Sequence, residues 1–279
     1  MKIDFYGVRG SIPAPGSNTV KYGGNTSCVH VQLNKGKNII LDAGTGIRSL
    51  GQKLVNTDEP IFLLVSHSHW DHMQGYPFFL PIYQKEREIY VCPSEQTIHD
   101  QLCSLLDQMD GAHFPVEAKE LPSRTECVVE NVETELRRHG INITRKPLNH
   151  PGSGSAYKIT EDGLSCAYVT DNELDPPDKI HTTYDEWVAF CADSDILIHD
   201  AQYTEADMPH KHGWGHSLIS QVRQLALDAK IKTLILFHHD PDRTDAQLTG
   251  IQQATESFFK SKKADIKVHC AWEGLSLQV

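Results

Sequence analysis

Segment 67–72, with the sequence His-Ser-His-Trp-Asp-His, constrains this chain more than any other feature. It places three imidazoles and a carboxylate in six residues, directly after the continuous apolar run 61–65. Such a run is typical of a strand that is buried on both faces. Alternate residues at a strand end point the same way, so His67 and His69 can converge on one ion. If a helix begins there, the last two residues of the segment turn towards a neighbouring position.

Three further polar residues follow strand-like runs downstream. His150 follows the run 141–148, and two more residues follow runs at 164–169 and 233–237, namely Asp171 and His238. Ligands in α/β folds gather at strand ends. Zinc suits histidine and carboxylate ligands, and a catalytic zinc keeps a position open for water. The alternative, a solvated histidine-rich turn at 67–72, does not account for this recurrence, so the sequence predicts a metal site.

The organisation of the chain favours one α/β domain over residues 1–279. Its first third predicts an antiparallel meander of three strands, at 2–8, 27–33 and 38–41. Helical periodicity alternates with strands in the second half, at 182–192, 217–228 and 245–260.

The segment 94–130 is a possible cap over the site or a contact between subunits. Five apolar residues there fall on one helical stripe, and the pattern dissolves at Asp110: Ile98, Leu102, Leu105, Leu106 and Met109. An ordinary surface helix and loop is the alternative.

Composition narrows the functional class. The chain has 279 residues, with 26 Lys and Arg against 37 Asp and Glu, and a formal net charge of −11. This argues against a protein that coats nucleic acid by neutralising many phosphates. The seven cysteines show no C-x-x-C spacing, which favours reduced, mostly buried thiols. The N-terminus has no apolar signal region and no stretch approaches ~18 apolar residues, so we expect a cytoplasmic protein without membrane contact.

The motif His-x-His-x-Asp-His at 67–72 resembles that of the metallo-β-lactamase fold, and the resemblance extends over essentially the whole chain. It implies an αββα sandwich of two mixed sheets flanked by helices. It also implies two divalent metal ions, zinc by preference with manganese as an alternative. Metal one would be held by three histidines: His67, His69 and His150. Metal two would be held by Asp71, His72 and His238, with Asp171 between the two ions. His239 is the alternative to His238.

Two further elements resemble the RNase Z and cyclic-nucleotide phosphodiesterase group. They are Ile-His-Asp-Ala at 198–201 and Gly-His-Ser at 215–217. The resemblance implies that Asp200, which stands where the group has Glu, orients His216 as the general acid. It implies a catalytic role for Asp71 and a structural one for His199. A surface-loop histidine is the alternative interpretation of His216.

Segments 7–13, 22–27 and 237–241 resemble a group of small bacterial and phage metallohydrolases that includes the anti-Pycsar phosphodiesterases. The implied activity is hydrolysis of 3′,5′-cyclic nucleotides, in evasion of an antiviral defence. A hydroxide formed at the metals would attack phosphorus while His216 protonates the leaving oxygen. The implied assembly is a homodimer. We find no basic arm of the kind that grips tRNA, so we expect no stable nucleic-acid complex. RNase Z-type tRNA processing is one alternative, and nucleotide sequestration without catalysis is another.

Candidate substrate-binding residues are less specific. They are Arg9, Asn25, Thr26 and Trp214, with Tyr157 as a further candidate. A base pocket needs aromatic or amide side chains, and the metals provide the phosphate site. Arg9 could instead form a structural ion pair, Tyr157 could be a core residue, and Trp214 could merely pack its loop.

Overall fold

A computed structural model describes residues 1–34, 36–94 and 105–279. Within them the chain forms two sheets, with thirteen strands: β1 (Lys2–Gly7), β2 (Cys28–Gln32), β3 (Asn38–Leu41), β4 (Ile61–Leu64), β5 (Glu88–Cys92), β6 (Arg124–Cys127), β7 (Asn142–Pro147), β8 (Ser155–Glu161), β9 (Leu164–Val169), β10 (Ile196–Asp200), β11 (Thr233–Phe237), β12 (Lys267–Cys270) and β13 (Ser276–Gln278). Its α-helices include α1 (Ile47–Leu54), α2 (Val132–Arg138), α3 (Tyr184–Cys191), α4 (Ile219–Asp228) and α5 (Asp245–Ser261).

The first sheet has the strand order β13-β1-β2-β3-β4-β5-β6. Its strands β1, β2 and β3 are antiparallel, which confirms the predicted meander. From β3 to β6 the pairing is parallel. Strand β4 lies between two parallel neighbours and all four of its residues are buried, so both faces are covered as the apolar run predicted.

The second sheet has the order β12-β11-β10-β9-β8-β7. Strands β9 to β12 are parallel, whereas β7, β8 and β9 pair antiparallel. Both sheets are therefore mixed, as predicted.

The sheets pack face to face and helices cover their outer faces. Phe62 of the first sheet and Phe237 and Tyr168 of the second belong to one buried cluster between the sheets. A second cluster joins the second sheet to helices α3, α4 and α5, and a third joins the first sheet to α1. This arrangement confirms the αββα sandwich.

This topology brings distant parts of the chain to one edge. Parallel strands end on the same side of a sheet. Each of β4, β9, β10 and β11 ends at or just before one of the predicted site residues. Residues 67–72 follow β4, Asp171 follows β9 and His238 follows β11, while Asp200 is the last residue of β10. Polar side chains thus meet where the two sheets present their strand ends.

The predicted stripe in segment 94–130 lies partly outside the described residues, since Ile98 and Leu102 fall within 95–104. Of its other members, Leu105 and Met109 are buried against the outer face of the first sheet, in the cluster with α1. The described part of this segment therefore packs on the scaffold. No helix in the described ranges combines the length and the apolar character that a membrane crossing requires.

Candidate metal centre

Three histidines converge at the ends of β4 and β7. The ligand atoms of His67, His69 and His150 all lie within 4.8 Å of one another. Nε2 of His150 is 3.0 Å from Nδ1 of His69. His67 and His150 are buried and His69 is exposed, so this set opens to solvent beside His69.

A second set holds two carboxylates and two histidines: Asp71, His72, Asp171 and His238. Oδ2 of Asp71 lies 3.2 Å from Nε2 of His72 and 3.1 Å from Nε2 of His238. All four residues are buried. The 3-10 turn Trp70–His72 carries two of these ligands directly after the first set, which is why one short segment serves both.

Asp171 lies between the two sets and turns one oxygen to each. Oδ1 is 3.7 Å from Nε2 of His67 and 3.8 Å from Nε2 of His150. Oδ2 is 3.1 Å from Nε2 of His72 and 3.2 Å from Nε2 of His238. This is the placement that a bridging carboxylate needs.

The cluster fits a pair of divalent ions. Nε2 of His67 and Nε2 of His72 are buried and have no hydrogen-bond partner. An unpaired buried nitrogen is costly, and coordination is the interaction that these converging lone pairs can make. Histidine nitrogens and carboxylate oxygens in this number are compatible with a dinuclear metal site.

Local electrostatics differ between the histidines. Burial would lower the pKa of His72, but the carboxylates of Asp71 and Asp171 outweigh it and raise that pKa well above 6.5. Burial lowers the pKa of His67 well below 6.5 and lowers that of His150 to about 4, so both rings stay neutral and able to coordinate. Burial alone would raise the pKa of Asp71 and Asp171, but the neighbouring histidines outweigh it and hold both carboxyls ionised.

Each of four rings uses its other nitrogen on a neighbouring protein group. Nδ1 of His67 lies 3.0 Å from Oγ of Ser66, and Nδ1 of His238 lies 3.1 Å from Oε1 of Gln202. Nδ1 of His150 donates to the carbonyl of Gly215 at 3.0 Å. Such contacts fix which nitrogen faces the metal. For the fourth ring, His72, the partner is Asp42.

Asp42 was missed by the sequence analysis. It is fully buried, directly after β3, and its carboxylate accepts from Nδ1 of His72 at 2.8 Å, from the hydroxyl of Tyr168 at 2.7 Å and from both the N–H and Oγ of Ser66. One buried carboxylate thus ties together strands β3, β4 and β9 below the metal centre. The signal was an Asp at the end of an apolar run, as at Asp171.

Asp200 and His216 form a hydrogen-bonded pair beside the two sets. Nδ1 of His216 donates to Oδ2 of Asp200 at 2.6 Å, and both residues are buried. The His216 ring stacks on His238 with ring centroids 5.1 Å apart and contacts His150. Burial would lower the pKa of His216, but the carboxylates of Asp200 and Asp171 outweigh it and raise that pKa to about 9.

Glu173 holds the loop that carries His216, and the sequence analysis did not identify it. Its buried carboxylate accepts the backbone N–H of Gly213 at 2.9 Å and of Gly215 at 3.0 Å. Gly215 has φ +88°, and a side chain there would collide with His150. The loop therefore needs both the glycine and the carboxylate.

Three predicted substrate-binding residues make their contacts within the scaffold. Arg9 is fully buried, and its guanidinium donates to backbone carbonyls, among them that of Gly23 at 2.8 Å. Asn25 donates its side-chain amide to Glu273 at 2.8 Å. Thr26 is buried and exchanges hydrogen bonds with Thr45. Arg9 and Thr26 have no exposed surface to offer a substrate, whereas Asn25 is half-buried, and the substrate-binding role of all three stays a prediction.

The remaining candidate residues differ in their exposure and in the groups that they contact. Trp214, two residues before His216 in the chain, has 59% of its surface exposed, so it is available to a ligand. Tyr157 is buried and donates its hydroxyl to the carbonyl of Val65, as a core residue would. Nε2 of His239 donates to the carbonyl of Ala271, away from the cluster that His238 joins. His199 is buried and donates to the backbone of Asp200.

Comparison with known proteins places this site in a family. A model of the β-lactamase superfamily domain matches residues 37–239, well over half of the chain. The chain belongs to the metallo-β-lactamase superfamily. The matched range includes every residue of the two ligand sets and both members of the Asp200–His216 pair.

Among relatives of this metallo-β-lactamase protein is the ribonuclease Z of Picrophilus torridus, 22% identical, over 88% of each chain. The crystal structure of the metallo-β-lactamase fold protein YhfI from Bacillus subtilis aligns with a TM-score of 0.68 at 15% identity, covering 99% of this chain and 98% of that one. Zn²⁺-bound PqqB from Methylobacterium extorquens aligns with a TM-score of 0.65 at 16% identity, over all of both chains. At these identities the structural likeness shows a common fold.

Proposed function

We propose that this protein is a metal-dependent phosphodiesterase that hydrolyses small 3′,5′-cyclic nucleotides. The observation that carries the proposal is the Asp200–His216 pair, 2.6 Å apart, directly beside two sets of metal-ligating side chains. Hydrolysis of a phosphodiester needs a nucleophile, charge stabilisation and a proton for the leaving oxygen. The ligand sets and the pair together provide groups for all three.

The chain would hold one ion with the three histidines of the first set and another with Asp71, His72 and His238, Asp171 serving both. Zinc fits these ligands, and manganese is the alternative. Bound divalent ions would supply positive charge against the developing anionic oxygens and would lower the pKa of water to roughly 7. This local charge is compatible with an anionic substrate in a chain of net charge −11.

His216 would donate the proton to the departing ribose oxygen. Its Nδ1 is occupied by Asp200, so Nε2 is the nitrogen left to face a substrate. The Asp200 carboxylate fixes the ring orientation and favours the protonated imidazolium that a general acid requires. Asp71 accepts the N–H of Ser11 at 2.7 Å, a contact that would orient the carboxylate towards the second ion.

A small substrate is supported by the charge of the chain and by its lack of a basic arm. The net charge of −11 opposes binding to an extended polyanion such as tRNA. Trp214, which is exposed and lies two residues before His216 in the chain, is a candidate contact for the nucleotide. The expected homodimer and the expected cytoplasmic location stay predictions.

The test is chromatography of 3′,5′- and 2′,3′-cyclic nucleotides after incubation with the metal-loaded protein, with and without a chelator, beside a pre-tRNA substrate. We expect chelator-sensitive opening of 3′,5′-cyclic nucleotides. Intact cyclic nucleotides beside a cut pre-tRNA would instead favour the activity that the Picrophilus relative's name states. Binding without turnover would favour nucleotide sequestration, and both results contradict the proposal.

A further inference from the structure

We propose that a cavity beside the metal centre binds the base of the substrate nucleotide. The cavity has a volume of about 470 Å³, which lies in the range of small-molecule sites. Its aromatic lining consists of Trp70, Phe78 and Phe114. The inference rests on the proposed function, since it assigns a place to the base of the nucleotide whose phosphate lies at the metals.

Two residues that line the cavity alternate along the chain with residues of the two ligand sets. Ser68, which lines it, lies between His67 and His69, and Trp70 lies between His69 and Asp71. Asp71 is 5% exposed whereas Trp70 is 74% exposed, so the same short turn sends a ligand inwards and an indole outwards into the cavity. A nucleotide with its phosphate near the exposed His69 would have its base within reach of this indole.

Exposed aromatic rings at this position need an explanation. Trp70 and Phe78 are two of the few large apolar side chains that are exposed in the described residues, at 74% and 55%. Phe78 meets Phe114 edge to face, with ring centroids 5.4 Å apart, which gives the cavity a fixed aromatic corner. Flat aromatic surfaces of this kind stack on nucleobases, and every base has a face that can take part.

The polar lining suits a base and opposes a phosphate. The side-chain amide of Gln108 donates to the carbonyls of Met73 and Leu105, which holds the side chain and leaves its oxygen able to accept from an amino group of a base. Asp107 adds a carboxylate, and no Lys or Arg is found among the described lining residues. His113 also lines the cavity, and its Nδ1 contacts the carboxylate of Asp110 at 2.7 Å. The phosphate therefore belongs at the metals and the base in the cavity.

Comparing a nucleotide with a base-free analogue tests this assignment. We expect Trp70→Ala and Phe78→Ala to raise KM for a 3′,5′-cyclic nucleotide about ten-fold, the loss of one stacking contact, with kcat within about two-fold. KM for ribose 3′,5′-cyclic phosphate, which lacks the base, should not change. Leu80→Ala is the matched control, because Leu80 is also an exposed apolar residue of this region but does not line the cavity. Metal content of each variant is measured alongside.

Equal changes in KM for both substrates, or no change for the nucleotide, would overturn the base site while leaving the phosphodiesterase proposal intact. If no phosphodiester is hydrolysed, the proposed function fails, and calorimetric titration with adenosine decides the base site by itself. Adenosine binding that is weakened in Phe78→Ala and kept in Leu80→Ala supports the site. Absence of adenosine binding to the wild-type protein overturns it.

Discussion

At the scale of single residues, the metal centre depends on the partners of its ligands as much as on the ligands. His72 is hydrogen-bonded to Asp42, and His238 is hydrogen-bonded to Gln202. His150 is hydrogen-bonded to the backbone of the loop that Glu173 holds. Each contact selects the nitrogen that is left for a metal, so a change beyond the ligands can alter metal affinity. Two residues offer direct tests.

His216→Ala should slow hydrolysis by on the order of 10²-fold or more, because the leaving oxygen loses its proton donor. Metal content should stay near that of the wild type. His210→Ala is the control, since His210 is an exposed histidine of the same loop region. Steady-state rates and metal analysis check this prediction, and loss of metal from the His216 variant would count against the general-acid role.

Glu173→Gln should weaken metal binding at the first set about ten-fold. A glutamine has one acceptor oxygen, so it cannot accept both N–H groups of the loop as freely as a carboxylate does, and the Gly215 carbonyl that orients His150 loses its support. Metal titration of the chelated protein measures the change. Asp175→Asn, an exposed change two residues away, should have no effect; unchanged affinity in both variants would contradict the assignment.

At the scale of elements, some helices and strands can be predicted from their own residues, whereas others form only because of the neighbour they pair with. Helix α3 begins with a complete capping box, in which Thr183 and Glu186 satisfy each other's backbone N–H groups. Strand β6, with the sequence Arg-Thr-Glu-Cys, lies at the edge of the first sheet and has no apolar alternation. The first can be recognised from four residues, whereas the second depends on its neighbour β5.

Thr183→Ala should lower the free energy of unfolding by about 1 kcal/mol, because the first turn of α3 loses its side-chain acceptor. Urea unfolding followed by circular dichroism measures it. Thr134→Ala is the matched control: Thr134 is exposed inside α2, where alanine is the better helix former, so stability should hold or rise slightly. Equal destabilisation by both changes would show that the capping box is not the cause.

At the scale of the whole molecule, the metal centre joins the two halves of the sandwich. Ligands follow β4 of the first sheet and β7, β9 and β11 of the second, so bound ions would link elements that are distant in the chain. Without ions, Nε2 of His67 and Nε2 of His72 face the carboxylate of Asp171 but make no hydrogen bond. Metal binding should therefore stabilise the folded chain as a whole.

Removal of metal by a chelator should lower the melting temperature. A ligand at 100 times its Kd stabilises the folded state by about 2.7 kcal/mol, and the effect grows with free metal concentration. Thermal unfolding with and without chelator measures it. The variant with both His67→Ala and His72→Ala should show little response to chelator; a wild-type melting temperature that is unchanged after demonstrated metal loss would refute the prediction.

The sequence by itself determined the elements with strong local signals and the residue types of the site. The buried run 61–65, the meander and three helices were predicted close to their observed bounds, and residues 67–72 already contained members of both candidate ligand sets. Strand β8 was missed, although its buried Tyr157 and Ile159 alternate with Lys158 and Thr160 as a strand pattern requires. That residues 1–279 form one domain stays a prediction.

Only the tertiary structure decided what each side chain contacts. Arg9 and Trp214 were equal candidates for substrate contact, yet one is buried among backbone carbonyls and the other is 59% exposed. Asp42 and Glu173 gave weak signals because their partners lie 24 to 126 and 40 to 42 residues away in the chain. Periodicity reports burial along a single element, whereas a hydrogen bond between elements depends on how the sheets pack.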